Sequence, residues 1–278
     1  MTVHSQKDRA FQFRQMHINP PLLVLPNAWD AASARIFEQA GFRAIATTSS
    51  GVAASLGYPD GEKISLHMLV ETVEHITRVI RCPLTVDIEA GYGGTIAEVL
   101  QTVQAVLAAG AVGINIEDSN KRRAKTLLDT SYQVELIKAI RELGRSMDIP
   151  LVINARTDVF LLAIGDPSNR FQELVLRMNL YRQAGADCLF PIGISDAHTI
   201  TELIHAVNSP LNIMAGSSTP SLTELAQLRV ARVSFGSGPM RAVLAHLQHI
   251  AHEWIEYGTY TNMTERIISG AQLRSLFE

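Results

Sequence analysis

The chain has 278 residues, 47% hydrophobic and 18% charged, a core-rich composition that excludes the disordered and fibrous classes. Its formal charge of −3 provides no basic field to gather nucleic acid or an anionic membrane, so the expected partner is a small molecule. No window offers the roughly 18 uninterrupted apolar residues of a membrane span, and the N-terminus lacks an apolar leader core. Cys82, before Pro83, and Cys188, in an apolar run, have neither metal-knuckle nor disulfide-framework spacing, so the expectation is a soluble protein in the reducing cytoplasm.

In chain order, residues 1–20, with Phe11, Phe13 and Met16 ahead of Pro20-Pro21, predict an N-terminal helix leading into a strand at Leu22–Leu25. Q-A-G-F-R-A-I-A-T-T-S-S-G (39–51) then reads as a helix end, a Gly able to take the left-handed C-cap conformation, a strand at Arg43–Thr47, and small polar residues. The same pattern recurs in A-A-G-A-V-G-I-N-I-E-D (108–118) and Q-A-G-A-D-C-L-F-P-I-G (183–193). Amphipathic helices are predicted over Ser65–Ile80, Ile96–Ala108, Ser131–Leu143, Phe171–Gln183 and Pro239–Trp254. Further strands are predicted at Leu84–Ile88, Gly113–Ile116, Leu151–Asn154, Asp187–Phe190, Leu211–Met214 and Arg232–Phe235.

Eight strands alternating with helices, apolar enough to be covered on both faces, predict a parallel sheet. That count favours an α/β fold of the (β/α)8 TIM-barrel type over an open doubly wound sheet. No linker or composition shift divides residues 1–278, so one domain is expected, with a short tail over 257–278.

In such a barrel the active site lies at the C-terminal ends of the strands, so the strand-end residues are the candidates. Strand 2 ends in Thr48, Ser49, Ser50 and Gly51, strand 3 in Asp87 and Glu89, strand 4 in Asn115, Glu117 and Asp118, and strand 5 in Asn154, Arg156 and Asp158. Strand 7 ends in Gly216 and Ser217. Alternation aims Asp87 with Glu89, Asn115 with Glu117, and Asn154 with Arg156 at one pocket. Carboxylates without His or Cys suit a hard cation such as Mg²⁺, and Arg156 beside them would hold an anion. Asp118 and Asp158 are read as facing away from that pocket and are expected to be supporting residues. Gly236-Ser237-Gly238 reads either as an anion-binding helix start or as a tight turn. The run Lys121–Lys125 has no interleaved aromatic residues, so it reads as a lid loop.

These residues carry a family likeness. Through T-T-S-S-G-V-A-A-S-L-G-Y-P-D-G (47–61), V-D-I-E-A-G-Y-G (86–93), G-I-N-I-E-D (113–118) and N-A-R-T-D (154–158), the chain resembles the isocitrate lyase / phosphoenolpyruvate mutase superfamily. The likeness runs from Leu25-Pro26-Asn27 to the last strand. It implies a Mg²⁺-dependent enzyme, with Mn²⁺ as a possible substitute, acting beside an enolate of a small α-oxo acid or phosphonate. It also implies Asp87 as the direct metal ligand, with Asp60, Glu89 and Glu117 holding the metal's water shell. Thr48, Ser49, Ser50 and Gly51, helped by Asn154, Gly216 and Ser217, would bind substrate, and Arg156 would grip the oxyanion. Glu117, Lys121 and Arg122 join Arg156 as catalytic candidates.

The lyase branch carries a K-[KR]-C-G-H lid, whereas this chain has S-N-K-R-R-A-K-T-L-L-D (119–129), without Cys or His. Where the branches place a Glu or His after strand 6, it has Phe190-Pro191-Ile192-Gly193. The expectation is a lyase or hydrolase for an oxaloacetate-like or phosphonopyruvate-like substrate. The alternatives are a phosphonomutase, a non-catalytic α-oxo acid binder that keeps the metal site, and a metal-free phosphate binder. The resemblance further implies a homotetramer, a dimer of dimers with exchanged C-terminal helices.

Overall fold

A computed structural model describes residues 5–18, 20–121 and 123–278. Its strands, in chain order, are β1 (Leu23–Leu25), β2 (Asn27–Ala28), β3 (Ile45–Thr47), β4 (Leu84–Asp87), β5 (Gly113–Glu117), β6 (Val152–Thr157), β7 (Cys188–Pro191), β8 (Asn212–Met214) and β9 (Arg232–Ser234). The longer helices are α1 (Gln6–Met16), α2 (Ala31–Gln39), α3 (Ser49–Ser55), α4 (Leu66–Val79), α5 (Ile96–Ala108), α6 (Thr130–Ser146), α7 (Arg170–Ala184) and α8 (Ala197–Val207). After them come α9 (Leu222–Gln227), α10 (Gly238–Glu256), α11 (Thr261–Thr264) and α12 (Gly270–Ser275). Predicted and observed boundaries agree to within a few residues, the ordinary uncertainty of helix and strand ends.

All strand pairs are parallel, in the orders β2-β3-β4-β5-β6-β7 and β1-β9-β8. Only Pro26 separates β1 from β2, and its carbonyl accepts the Ala46 N–H at 2.9 Å. A parallel bridge, Leu189 to Leu211, joins β7 to β8. Strands β3, β5 and β7 are buried along their whole length, as strands covered on both faces must be. Gly41, Gly110 and Gly185 have φ of 94°, 100° and 112°, so the repeated glycine marks a left-handed exit from α2, α5 and α7.

Helix α1 begins with a Ser5/Asp8 capping box, buries Ala10 and Phe13, and is tied to the last turn of α5 and the loop after it by Gln6 donating to the Leu107 and Ala111 carbonyls. It packs against the start of β5, where a Cβ on Gly113 would lie 2.8 Å from the Phe13 ring. One helical turn after Phe13, the buried His17 bonds through Nδ1 to the Phe13 carbonyl at 2.8 Å and faces Arg232 Nη1 at 3.5 Å. Burial, and then the Arg232 charge, push the His17 pKa down to about 3. A depressed histidine pKa means that the unfolded chain binds the proton first. Its contribution is therefore complete above pH 6.5 and is lost as pH falls toward about 3. The expected slope is about 1.4 kcal/mol per pH unit. Urea unfolding midpoints followed between roughly pH 6 and 4 should show this slope in the wild type and a shallower one in His17→Gln.

At the other end of the chain, Leu276 is buried and its carbonyl accepts from Arg35 Nε of α2 at 2.7 Å, so the end of the tail docks on its own chain. Helix α10 leaves Val243, Leu244, Leu247, Trp254 and Ile255 exposed.

Candidate active site

A cavity of about 250 Å³ opens at the C-terminal ends of the strands. Thr47, Thr48, Ser49, Ser50, Asp60 and Asp87 form one wall, and Asn115, Asn154 and Arg156 continue it. Helix α3 starts at Ser49, where the sequence pattern shows only the polar end of a strand. That early start turns the Ser49 N–H onto Asp87 Oδ2 at 3.1 Å. Asn115 Nδ2 donates to Asp87 Oδ1 at 2.9 Å, and Asn154 Nδ2 donates to Asn115 Oδ1 at 2.8 Å. Two amides, on β5 and β6, thus hold one carboxylate at a fixed angle toward the cavity. Asp60 reaches the same cavity from the loop after α3, and burial, then the Asp87 charge, raise its pKa.

The parity argument for Glu89 requires correction. Strand β4 ends at Asp87, and Glu89 lies beyond it with φ of 52°, so left-handed backbone rather than strand alternation places this side chain. Glu62 and Tyr92, at φ of 56° and 57°, share that conformation and bond to Glu89 Oε1 through the Glu62 N–H at 2.7 Å and the Tyr92 hydroxyl at 3.3 Å. Three non-glycine residues at positive φ in one cluster are a store of backbone strain, a feature that gathers at functional sites. Glu62 and Tyr92 escape sequence reasoning, because nothing in an isolated Glu or Tyr announces its φ.

Glu89 and Glu117 are buried and do not line the cavity. Lys121 Nζ bridges them, 3.0 Å from Glu89 and in closer contact with Glu117. Burial raises the Glu89 pKa to about 7 even with the ammonium beside it. Burial acts the same way on Glu117, but Arg156 and Lys121 together outweigh it and lower the pKa. Lys121 itself is held above the usual lysine range by Glu117, against the opposing effect of burial. The base of its loop is pinned by an antiparallel bridge between Ser119 and Leu127.

Arg156 is clamped from three sides. Its Nε and Nη2 donate to Asp158 at 2.6 and 3.0 Å, Nη1 pairs with Glu117 at 2.8 Å, and the guanidinium lies 5.9 Å from the Phe190 ring centre. Such a bidentate pair fixes the plane of the guanidinium. Behind it, the fully buried Asp118 accepts from Thr157, Tyr181 and the Asp158 N–H, and pairs with Arg177 at 3.2 Å. Asp118 sits behind the cavity wall, as its parity implies; Asp158 shares the parity of Arg156, a correction to the expected orientation, and is kept off the cavity because β6 ends at Thr157 and Arg156 holds its carboxylate.

Other candidates fall elsewhere. Gly51 is buried but does not line the cavity. A Cβ on it would lie 2.6 Å from Thr48 Cγ2 and 3.0 Å from Trp29 Cβ. Gly51→Ala is expected to cost about 1–3 kcal/mol by overpacking and to raise the ligand Kd by shifting Ser49; urea denaturation and calorimetry check both. Gly216 and Ser217 occupy an exposed turn and do not line the cavity either, a correction to their expected substrate role. The Gly216 N–H is engaged by Thr219 Oγ1 at 3.0 Å. Gly236 and Ser237 do line it. The N–H groups of Phe235 and Gly236 donate to Asn27 Oδ1 at 2.8 and 3.0 Å, which favours the turn reading over an anion cradle there. Arg122 lies outside the described residues.

Among the described residues no three His, Cys, Asp or Glu side chains converge as a metal cage. The donors at the cavity are oxygens, from two mutually repelling carboxylates, Asp60 and Asp87, and neighbouring hydroxyls. That set fits Mg²⁺, which keeps several waters and needs only one or two protein carboxylates. Glu89 and Glu117, set behind the cavity wall, could reach such an ion only through water.

Comparison with known proteins adds an independent line. The family model for phosphoenolpyruvate phosphomutase matches residues 13–255. The chain is 30% identical over 276 residues to the 2-methylisocitrate lyase of Escherichia coli, covering 95% of this chain and 90% of that protein. It is 32% identical over 228 residues to the oxaloacetate decarboxylase of Paraburkholderia xenovorans, covering 80% and 73%. A Burkholderia cenocepacia crystal structure described as a lyase or mutase superposes with a TM-score of 0.90 at 34% identity, covering 98% of this chain and 96% of that one. A 2,3-dimethylmalate lyase structure, at 26% identity and 96% coverage of this chain and 94% of that one, gives 0.84.

Proposed function

Because the chain belongs to the phosphoenolpyruvate mutase / isocitrate lyase superfamily, we propose that it is a Mg²⁺-dependent enzyme making or breaking a C–C or P–C bond beside the enolate of a small α-oxo acid. The observation that carries this reading is the pairing of a fixed carboxylate, Asp87, with a fixed guanidinium, Arg156, on one small cavity. In support of the (β/α)8 barrel, β1 and β2 are halves of one strand broken at Pro26, and the Leu189 to Leu211 bridge links the two sheets. Residues 1–278 would form that single domain.

Breaking a bond next to an oxo group leaves negative charge on oxygen, and groups already oriented toward that oxygen stabilise it without reorganisation. Arg156 supplies the opposing positive charge from a plane fixed by Asp158. A divalent cation, when bound through Asp87 with Asp60, Glu89 and Glu117 around its waters, would polarise the substrate's oxo group. Mn²⁺ would serve similarly. Thr48, Ser49 and Ser50 hold the substrate carboxylate, and Asn154 keeps Asn115, and so Asp87, in place. Lys121, held protonated by two carboxylates, contributes charge or a proton rather than acting as a base; Arg122 is its neighbour in the lid.

The lid lacks the Cys and His of the lyase branch, so likeness to 2-methylisocitrate lyases does not carry that substrate over. The test is turnover of a panel of oxaloacetate, phosphonopyruvate and alkyl-malates with Mg²⁺ and with EDTA. Mg²⁺-dependent turnover of one of them is expected, and none at all would contradict the enzyme reading in favour of an α-oxo acid binder. The family model's own description favours a second reading, a phosphonomutase, which a ³¹P spectrum of phosphonopyruvate with the protein would reveal. The exposed apolar row of α10 supports a homotetramer with exchanged C-terminal helices, while the docking of Leu276 on its own chain limits the exchange to part of the tail. Native mass measurement decides the assembly. The composition, and the absence of a helix long and apolar enough to cross a membrane among the described residues, fit a small-molecule enzyme of the cytoplasm.

A further inference from the structure

At the opposite end of the strands from the active site, a second cavity of about 690 Å³ lies where the chain enters β6 and β7. Two helix faces form its walls. Lys7, Phe11 and Arg14 recur at every third or fourth position of α1, and Lys138, Arg141 and Arg145 do the same on α6, so each set shares one face of its helix. The volume falls within the roughly 300–1,000 Å³ of small-molecule sites.

The walls carry more positive charge than they neutralise. Five cations line the cavity against three carboxylates, Glu142, Asp148 and Asp187, an excess of two. At the floor, Asp187 is shared: Arg14 Nη2 meets its Oδ1 at 2.7 Å, Arg141 Nη2 donates to its Oδ2, and the Ile153 N–H donates to Oδ2 at 2.8 Å. One carboxylate between two guanidiniums leaves one charge unmatched, and the Arg14 side chain is 39% exposed, so part of its fork is open to a ligand. The second unmatched charge is Lys138, which is exposed and has no ion pair or hydrogen bond among the described residues. Lys7 with Asp148, at 2.7 Å, and Arg145 with Glu142 are exposed pairs that an incoming anion can rearrange at little cost. Between Lys7 and Arg14 on the same helix face, Phe11 is 57% exposed and offers a stacking surface beside these charges.

We propose that this cavity binds a phosphate monoester carried on a planar ring, the chemistry of a nucleoside monophosphate, at a site separate from the active site. A phosphate monoester carries close to two negative charges at neutral pH, which matches the excess. The open part of the Arg14 fork suits its paired oxygens, Lys138 adds a point charge, and Phe11 stacks on the ring. A dicarboxylate would meet the charge but leave Phe11 without a partner. The site is independent of the α-oxo acid reading, since none of its residues lines the active-site cavity.

The test is calorimetric titration of the whole protein, in EDTA and low salt, with AMP and with ribose 5-phosphate, which keeps the phosphate and lacks the base. AMP should bind one-to-one with a Kd below about 1 mM and more weakly as salt is raised, and ribose 5-phosphate at least about fivefold more weakly than AMP. Phe11→Ala should bring AMP down to the affinity of ribose 5-phosphate and leave the latter unchanged. Lys138→Glu should weaken both by at least about tenfold. Both side chains are exposed, so the urea midpoints of the two variants should match the wild type and tie any loss of binding to the site rather than to the fold. No AMP binding below about 1 mM, equal affinity for the two phosphates, or AMP affinity unchanged in Lys138→Glu would overturn the proposal.

Discussion

Asp87→Asn is expected to lower Mg²⁺-dependent turnover by about 10³-fold or more, equivalent to about 4 kcal/mol of transition-state stabilisation. The carboxylate is placed by three neighbours: the Ser49 N–H, the Asn115 amide, and Thr47 Oγ1, which accepts the Asp87 N–H at 2.8 Å. An Asn keeps the shape but removes the charge, and it turns an amide N–H toward one of these donors. A stability loss of about 1–3 kcal/mol follows from the lost acceptor. Turnover against Mg²⁺ concentration, with urea unfolding beside it, separates the two effects. A variant that folds, turns over normally and keeps its Mg²⁺ dependence would remove Asp87 from the metal site.

Arg156 is expected to show a different signature. Arg156→Lys retains a charge near Glu117 and Asp158 but loses the fork that Asp158 holds bidentately. If the guanidinium meets negative charge that develops only during reaction, kcat falls by about 10²–10³-fold with KM little changed. Arg156→Met should lose the rate and, in addition, about 3–5 kcal/mol of stability, because two buried carboxylates are left without their partner. Asp158, already raised to about 6 by burial with Arg156 opposing, would rise further in that variant. Steady-state kinetics and denaturation of the pair distinguish catalysis from support. A rise in KM alone would show that Arg156 binds the ground state.

Much of the fold is legible in the sequence because two periodicities and one repeated glycine encode it. Buried strands read as short apolar runs, and Gly41, Gly110 and Gly185 mark the same helix exit three times. The site is legible where strand geometry delivers it: Asp87, Asn115, Asn154 and Arg156 all arrive at one cavity from β4, β5 and β6. It is not legible where backbone leaves the regular states. Glu89 reaches its position by a left-handed turn, and its partners Glu62 and Tyr92 by two more, none of which a period of two predicts. Gly216 and Ser217 fail for the opposite reason, since β8 ends at Met214 and the chain then turns outward. The bridging role of Lys121 is a contact between a strand end, a left-handed turn and a loop, which no single stretch of sequence contains.

The central claim is that an α-oxo acid binds through a divalent ion on Asp87, and calorimetric titration of oxalate, with and without Mg²⁺, tests it most directly. Binding that requires Mg²⁺ in the wild type and is lost in Asp87→Asn is the predicted result. Oxalate binding of equal strength without the ion, or unchanged in Asp87→Asn, would contradict it.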